Sequence, residues 1–158
     1  GVGSFTYTTG AALMKEQNAK AVFVPVGKRR LPSLLAGEVD AISVHPPELM
    51  ASVRAGKVRM LAISTPVKMA AYPDVPTFKS LGMGLGFYQF RGVFVPKGTP
   101  KSVIKKLSNA YKVASTDKKL KAAALKKGFG INFIPYNKFP KYVAGQDALL
   151  RKAMAGLK

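Results

Sequence analysis

Short runs of consecutive apolar residues alternate in the first half of the chain with segments whose apolar residues have helical spacing. The runs are KAVFVPV at 20–26, VDAISV at 39–44 and VRMLAIS at 58–64. Continuous apolar runs of this length, rich in Val and Ile, are typical of strands buried on both faces. They therefore predict three buried strands.

The segments between these runs carry signals of helix starts and ends. The predicted helices run from Ser4 or Thr6 to about Gln17, from Arg30 to Ala36, and from Pro46 to Ala55. Gly37 and Gly56 follow the last two helices, where glycine readily takes the left-handed conformation that ends a helix. Alternating strands and helices with continuously apolar strands predict an α/β fold, a parallel-type sheet covered by helices.

The second half of the chain begins after a stretch rich in Pro and Gly at 65–100, which contains a predicted strand at 87–95. This stretch is the natural place for the chain to pass from one lobe to another. Thr99 is the expected N-cap of the clearest helix, with Pro100 as its first residue. The later predicted elements are a helix at 117–127, a strand at 131–134 and a helix at 137–157.

Charge divides the chain unevenly. The 158 residues hold 26 Lys and Arg against 7 Asp and Glu, a formal net charge of +19, and the part from 86 to 158 contributes most of it. Such an excess suggests a nucleic-acid or membrane-surface partner. However, the cations are mostly Lys, and the aromatic residues do not alternate with the basic runs as in a single-strand binding platform. A solvated basic surface is the favoured interpretation, and nucleic-acid binding is the alternative.

Composition also limits the chemistry. The chain has no Cys and one His, and its carboxylates show no catalytic pairing. Disulfides and Cys or multi-His metal centres are therefore excluded, and one histidine leaves little for His-based acid–base chemistry. We expect neither an enzyme nor a cofactor.

Three places could bind an anion. The first is Gly3-Ser4 at the start of the first helix, where backbone N–H groups point at a ligand and the Ser4 and Thr6 hydroxyls add donors. The second is the turn around Lys28, and the third is His45 after the strand at 39–44. Ligands of parallel α/β sheets bind beyond the carboxyl ends of the strands, so these places could share one pocket. An ordinary cap, solvated cations and a turn histidine remain open as alternatives.

Several short motifs carry a family resemblance through their order along the chain. They are Gly1-Val2-Gly3-Ser4, Val24-Pro25 with its Gly/Lys turn, LLAGEVD at 34–40, AGKVR at 55–59, PDVPT at 73–77 and FVPKGTP at 94–100. Together they resemble the TctC or Bug family, the periplasmic solute receptors of tripartite tricarboxylate transporters.

The resemblance implies an incomplete fold like that of type II periplasmic binding proteins, with two α/β lobes and the ligand between them. Residues 1–85 would be most of ligand-binding lobe two. Residues 86–158 would be the crossover strand and the C-terminal helices that return to lobe one. We expect a signal peptide and the family's N-terminal half upstream, or a homo-oligomer that covers the apolar helix faces.

The resemblance also implies a function. The protein would be periplasmic, would bind a small carboxylate and would deliver it to a membrane permease. The ligand-binding residues would be Gly3, Ser4, Thr6, Tyr7, Lys28 and His45. The alternatives are a basic nucleic-acid-binding protein and a receptor-fold interaction module that has lost its ligand.

Overall fold

The computed structural model describes residues 3–155 and 157, and six α-helices lie within them. Gly1, Val2 and parts of the predicted C-terminal helix end lie outside the described residues. The helices are α1 (Phe5–Glu16), α2 (Arg30–Leu35), α3 (Pro46–Arg54), α4 (Lys101–Thr116), α5 (Lys118–Lys126) and α6 (Phe139–Ala155). Two 3-10 turns, Gly27–Arg29 and Lys79–Leu81, accompany them.

The predicted helix ends in the first half are confirmed to within about two residues. The Ser4 hydroxyl caps α1 by accepting a hydrogen bond from the Tyr7 N–H at 3.3 Å. Gly37 and Gly56 follow α2 and α3 with φ of +74° and +67°, a conformation that costs a residue with a side chain more than it costs glycine. Local sequence therefore decides where these helices begin and end.

The predicted start of α4 is wrong by one residue. The helix begins at Lys101, and Pro100 holds the cap position, which has no side-chain hydrogen bond. The Thr99 hydroxyl instead donates to the Pro96 carbonyl at 2.8 Å, across a turn in which Gly98 has φ of +89°. Because this turn engages the hydroxyl, Thr99 does not cap the helix.

The predicted parallel sheet is not formed by the residues that the structure describes. The segments 20–26, 39–44, 58–64, 87–95 and 131–134 contain no sheet ladder. One isolated parallel bridge joins Ile63 and Thr77, with Ile63 N donating to the Pro76 carbonyl and Phe78 N donating to the Ile63 carbonyl, each at 2.9 Å. An apolar run identifies a segment that favours burial, whereas a strand also needs a neighbour for its backbone groups, and that neighbour is not encoded locally.

The buried side chains lie in the first half of the chain. The buried hydrophobic residues are Ala11, Ala12, Leu49, Met50, Ile63, Tyr72, Phe78 and Phe87. Met50, Ile63 and Tyr72 form a cluster against which Met60 and Met69 pack. Burial raises the pKa of the Tyr72 phenol, and Arg54 nearby opposes that shift. Through Met50, this cluster packs α3 against Ile63 and Tyr72.

The second half packs more loosely. The apolar face predicted for α4 exists, but Val103, Leu107 and Tyr111 on it are about half exposed. Aromatic side chains attach α6 to the segment 87–95, with Phe90 edge-on to Tyr142 at 5.1 Å between ring centroids. Burial raises the pKa of the Tyr142 phenol, and a hydrogen bond that its hydroxyl donates to Tyr88 raises it further. No helix among the described residues is long and apolar enough to cross a membrane.

Candidate binding site

The first turns of α1, α2 and α3 meet at the side chain of Arg30, the first residue of α2. One guanidinium nitrogen, Nη1, donates to the Thr6 hydroxyl on α1 at 3.4 Å. The other, Nη2, donates to Glu48 Oε2 on α3 at 3.0 Å. The structure therefore brings the first turns of the three helices together. That a ligand binds where they meet stays a prediction.

Hydroxyl groups lie beside this cation on α1. Ser4 Oγ and Thr6 Oγ1 are 3.3 Å apart and share a hydrogen bond. The Tyr7 ring packs edge-on against Phe23 at 5.4 Å between centroids. Gly3 is exposed and has φ of +81°, so the chain enters α1 through a conformation suited to glycine.

His45 holds the cap position of α3 without a side-chain cap. Its ring stacks on Phe5 at 6.2 Å between centroids, and Phe5 in turn meets Phe87 edge-on at 5.8 Å. These contacts place the imidazole beside the first turn of α1. His45 is thus held near Ser4 and Thr6 by packing against aromatic rings.

Lys28 is the predicted site residue that the structure separates from the others. It is exposed in the 3-10 turn Gly27–Arg29 and does not line the cavity beside Arg30. Its neighbour Arg29 also points away and pairs with Glu38 at 3.3 Å. Of three consecutive cations, Arg30 is the one that reaches the α1 and α3 turns.

Sequence reasoning missed the role of Arg30 because consecutive cations in a turn look alike. One signal was available. Glu48 directly follows Pro46-Pro47 in the first turn of a predicted helix, so it is an acidic residue fixed near a predicted strand end. A carboxylate at that place indicates a nearby cation, but it does not say which of the three cations is its partner.

These side chains face a large cavity of about 2990 Å³. Its lining includes Ser4, Thr6, Tyr7, Arg30, His45 and Glu48. It continues through both halves of the chain, along the segments 39–44, 57–71 and 88–95 and past parts of α4, α5 and 128–142. Small-molecule pockets usually measure roughly 300–1,000 Å³, so the cavity is larger than a pocket that encloses one small ligand. No group of three or more His, Cys, Asp or Glu residues in the described part of the chain could hold a metal ion.

The backbone is similar to that of a solved solute-binding protein. A TctC solute-binding protein from Polaromonas, crystallised with no ligand, superposes with a TM-score of 0.82 at 25% sequence identity. The match covers 98% of this chain and 55% of the Polaromonas chain. The helices and unpaired segments described above therefore make up part of a periplasmic-binding-protein fold.

The sequence identifies the family within that class. The profile of the tripartite tricarboxylate transporter family receptor, TctC, matches residues 1–151, and the chain belongs to this family. A UPF0065 protein from Cupriavidus necator is 31% identical over 71% of this chain, and one from Pseudomonas sp. strain P51 is 30% identical over 68%. The chain spans about a third of the length of these relatives, 35% and 33%.

Proposed function

We propose that the protein is an extracytoplasmic receptor that binds a small carboxylate and delivers it to the membrane permease of a tripartite tricarboxylate transporter. It would act in the periplasm and carry out no catalysis. Membership of the TctC family supports this role. The observation that carries this proposal is the contact of Arg30 with Thr6 and Glu48. This contact places a cation, hydroxyl groups and the starts of three helices together at one wall of the cavity.

The anion would bind to the first turn of α1. Backbone N–H groups near Gly3 and Ser4 would donate to it, and the Ser4, Thr6 and Tyr7 hydroxyls would add side-chain donors. His45 would border the same place, since its ring stacks on Phe5. Lys28 would contribute long-range attraction from the rim, as its exposed position lies outside the cavity lining.

In this proposal residues 1–85 are most of ligand-binding lobe two, and residues 86–158 are the crossover strand and the helices of lobe one. The sheets of both lobes would be of the parallel type found in type II periplasmic binding proteins. The concentration of buried side chains between Thr8 and Phe78 supports this division, with Phe87 at the start of the crossover strand as the one buried hydrophobic side chain found beyond it among the described residues. So does the half-exposed apolar face of α4, which would pack within lobe one.

Calorimetry on the full-length protein tests the proposal. Citrate, succinate and benzoate offer three, two and one carboxylates. At least one of them should bind, and Ser4→Ala should weaken that binding about tenfold, as expected for loss of a hydrogen bond to a charged group. Ser102→Ala, an exposed serine in the first turn of α4, is the matched control and should leave binding unchanged.

Two results would contradict the receptor assignment. One is the absence of binding by all three acids to a folded protein, which would favour an interaction module that has lost its ligand. The other is binding that neither Ser4→Ala nor Tyr7→Phe alters, since both side chains lie in the proposed site.

The basic second half supports nucleic-acid binding as a second candidate. Lys101, Lys105 and Lys112 fall on one stripe of α4, and no ion pair of theirs is found in the described part of the chain. Binding of this kind should weaken at least tenfold between 50 and 200 mM salt, because counterions are released. The absence of a gel shift with a 20-mer duplex at 50 mM salt would remove this candidate.

The aromatic rings of the second half do not favour binding of single strands. Phe90, Phe139 and Tyr142 pack against each other, which leaves them poorly placed for base stacking.

A further inference from the structure

We propose that Arg30 binds a carboxylate group of the ligand and that Glu48 occupies its guanidinium until that carboxylate replaces it. The inference rests on the proposed carboxylate-binding function of this site. It adds a ligand-binding residue, Arg30, and a residue that sets specificity, Glu48. A ligand without a negative charge would have nothing to exchange for Glu48.

The contacts of Arg30 show why exchange is feasible. Glu48 engages the guanidinium through one oxygen on Nη2, and Nη1 has only a long 3.4 Å contact with Thr6. A guanidinium offers five N–H donors and binds a carboxylate best through two parallel hydrogen bonds. A small carboxylate that enters the cavity can therefore make a better pair with Arg30 than Glu48 makes.

Partial exposure also keeps the present pair weak. The side chains of Arg30 and Glu48 are 30% and 42% exposed. Ion pairs that solvent reaches contribute little stability, so this one opens in a fraction of molecules at any moment. Because ligand must bind the open fraction, the apparent affinity is reduced by that fraction.

Glu48 has a stable place once it is released. It lies in the first turn of α3, where the partial positive charge of the helix start favours a carboxylate even without Arg30. The exchange therefore leaves no buried, unpaired charge behind. Arg30 likewise has a carboxylate partner both before the exchange and after it.

The neighbouring pair Arg29–Glu38 provides a matched control. It joins the same kinds of residue at 3.3 Å, one residue earlier in the chain, with side chains 72% and 47% exposed. Arg29 does not line the cavity, but Glu38 does, as Glu48 does, so the two carboxylates differ mainly in which arginine they pair with. Glu38→Gln removes the same charge as Glu48→Gln, so a general electrostatic effect on anion binding would appear in both variants.

The experiment measures the affinity of citrate, succinate and benzoate by calorimetry in 0.15 M salt. The proteins are the full-length wild type, Glu48→Gln, Glu38→Gln, Arg30→Gln and Arg29→Gln, each checked for folding by thermal denaturation. We expect Glu48→Gln to bind about three- to tenfold more tightly than wild type. Glu38→Gln should differ from wild type by less than about twofold, because Glu38 pairs with Arg29, which does not line the cavity, and salt screens the long-range effect of the charge. Arg30→Gln should bind at least tenfold more weakly, and Arg29→Gln should remain close to wild type.

The other outcomes would overturn the role of Glu48, the role of Arg30 or the receptor function, each in a distinguishable way. If wild type binds an acid but Glu48→Gln and Glu38→Gln change its affinity equally, the receptor function stands and the role of Glu48 is wrong. Weaker binding by Glu48→Gln would show that Glu48 positions Arg30 rather than competing for it. Unchanged binding by Arg30→Gln would exclude Arg30 as a ligand contact. If Arg30→Gln does not fold, Arg30→Lys replaces it, and Glu48→Gln still decides. Absence of binding by wild type and Glu48→Gln alike would overturn the receptor function itself, and the exchange with it.

Discussion

The two halves of this chain differ in how they are held together. Residues up to Phe87 contain the buried hydrophobic side chains and the three helix starts that meet at Arg30. Residues beyond it carry 16 of the 26 basic residues, and their helices leave apolar faces half exposed. The difference indicates that the first half buries a small apolar core, whereas the second half leaves the apolar faces of its helices half exposed.

The largest expected difference in stability between the halves concerns two phenylalanines near their junction. Phe87 is 3% exposed and Phe94 is 76% exposed. Phe87→Ala should lower the free energy of unfolding by about 3–5 kcal/mol, because it removes a buried ring that also contacts Phe5. Phe94→Ala should lower it by less than about 0.5 kcal/mol.

Urea denaturation measures both changes. Equal losses for the two variants would show that the second half is packed as firmly as the first. The two halves would then not differ in how tightly their side chains are packed.

Gly128 tests the point where the second half touches the core of the first. It is buried with φ of +76°, and a β-carbon there would lie 2.7 Å from Met50 Cε and would also meet the Tyr72 hydroxyl. Gly128→Ala should cost about 2–4 kcal/mol, from backbone strain together with overpacking.

Gly98 is the control for backbone strain alone. It has φ of +89°, and a β-carbon there would meet nothing within 4 Å. Gly98→Ala should cost about 1 kcal/mol in the same denaturation experiment. If the two glycine variants are equally stable, the contact of Gly128 with the Met50–Tyr72 cluster contributes nothing.

The smallest effect concerns the helix caps of the second half. The Asp117 carboxylate accepts a hydrogen bond from the Leu120 N–H at 2.7 Å at the start of α5, whereas the Thr99 hydroxyl does not cap α4. Asp117→Ala should lower the free energy of unfolding by about 1 kcal/mol, and Asp117→Asn should largely preserve it. Thr99→Ala should change it by less than about 0.5 kcal/mol. A larger loss of unfolding free energy for Thr99→Ala than for Asp117→Ala would show that Thr99 does cap α4, as the sequence pattern predicts.

Local features of the fold could be predicted from the sequence, and features that need distant partners could not. The Ser4 cap and the glycines that end α2 and α3 depend on residues within one helical turn, and their prediction is confirmed. Strand pairing depends on neighbours far along the chain, which a single apolar run such as 58–64 does not specify. The order of the motifs nevertheless identified the TctC family correctly, because motif order reflects the whole chain.

The candidate site shows the same limit at the level of one side chain. Gly3, Ser4, Thr6 and Tyr7 follow from a recognisable helix start, and their role in binding stays a prediction. The choice among Lys28, Arg29 and Arg30 depends on the direction in which a 3-10 turn presents each side chain. It also depends on where Thr6 and Glu48 lie in space. Sequence spacing alone gives neither the direction of these side chains nor the positions of their partners.

Amide hydrogen exchange on the full-length protein, with and without the carboxylate that binds most tightly, tests the central claim most directly. Exchange reports local opening, so a bound ligand slows it where the ligand adds contacts. We predict slower exchange in the first turns of α1, α2 and α3, with little change over α4 and α5. Slower exchange along α4 and α5, with none at the three helix starts, would contradict the account.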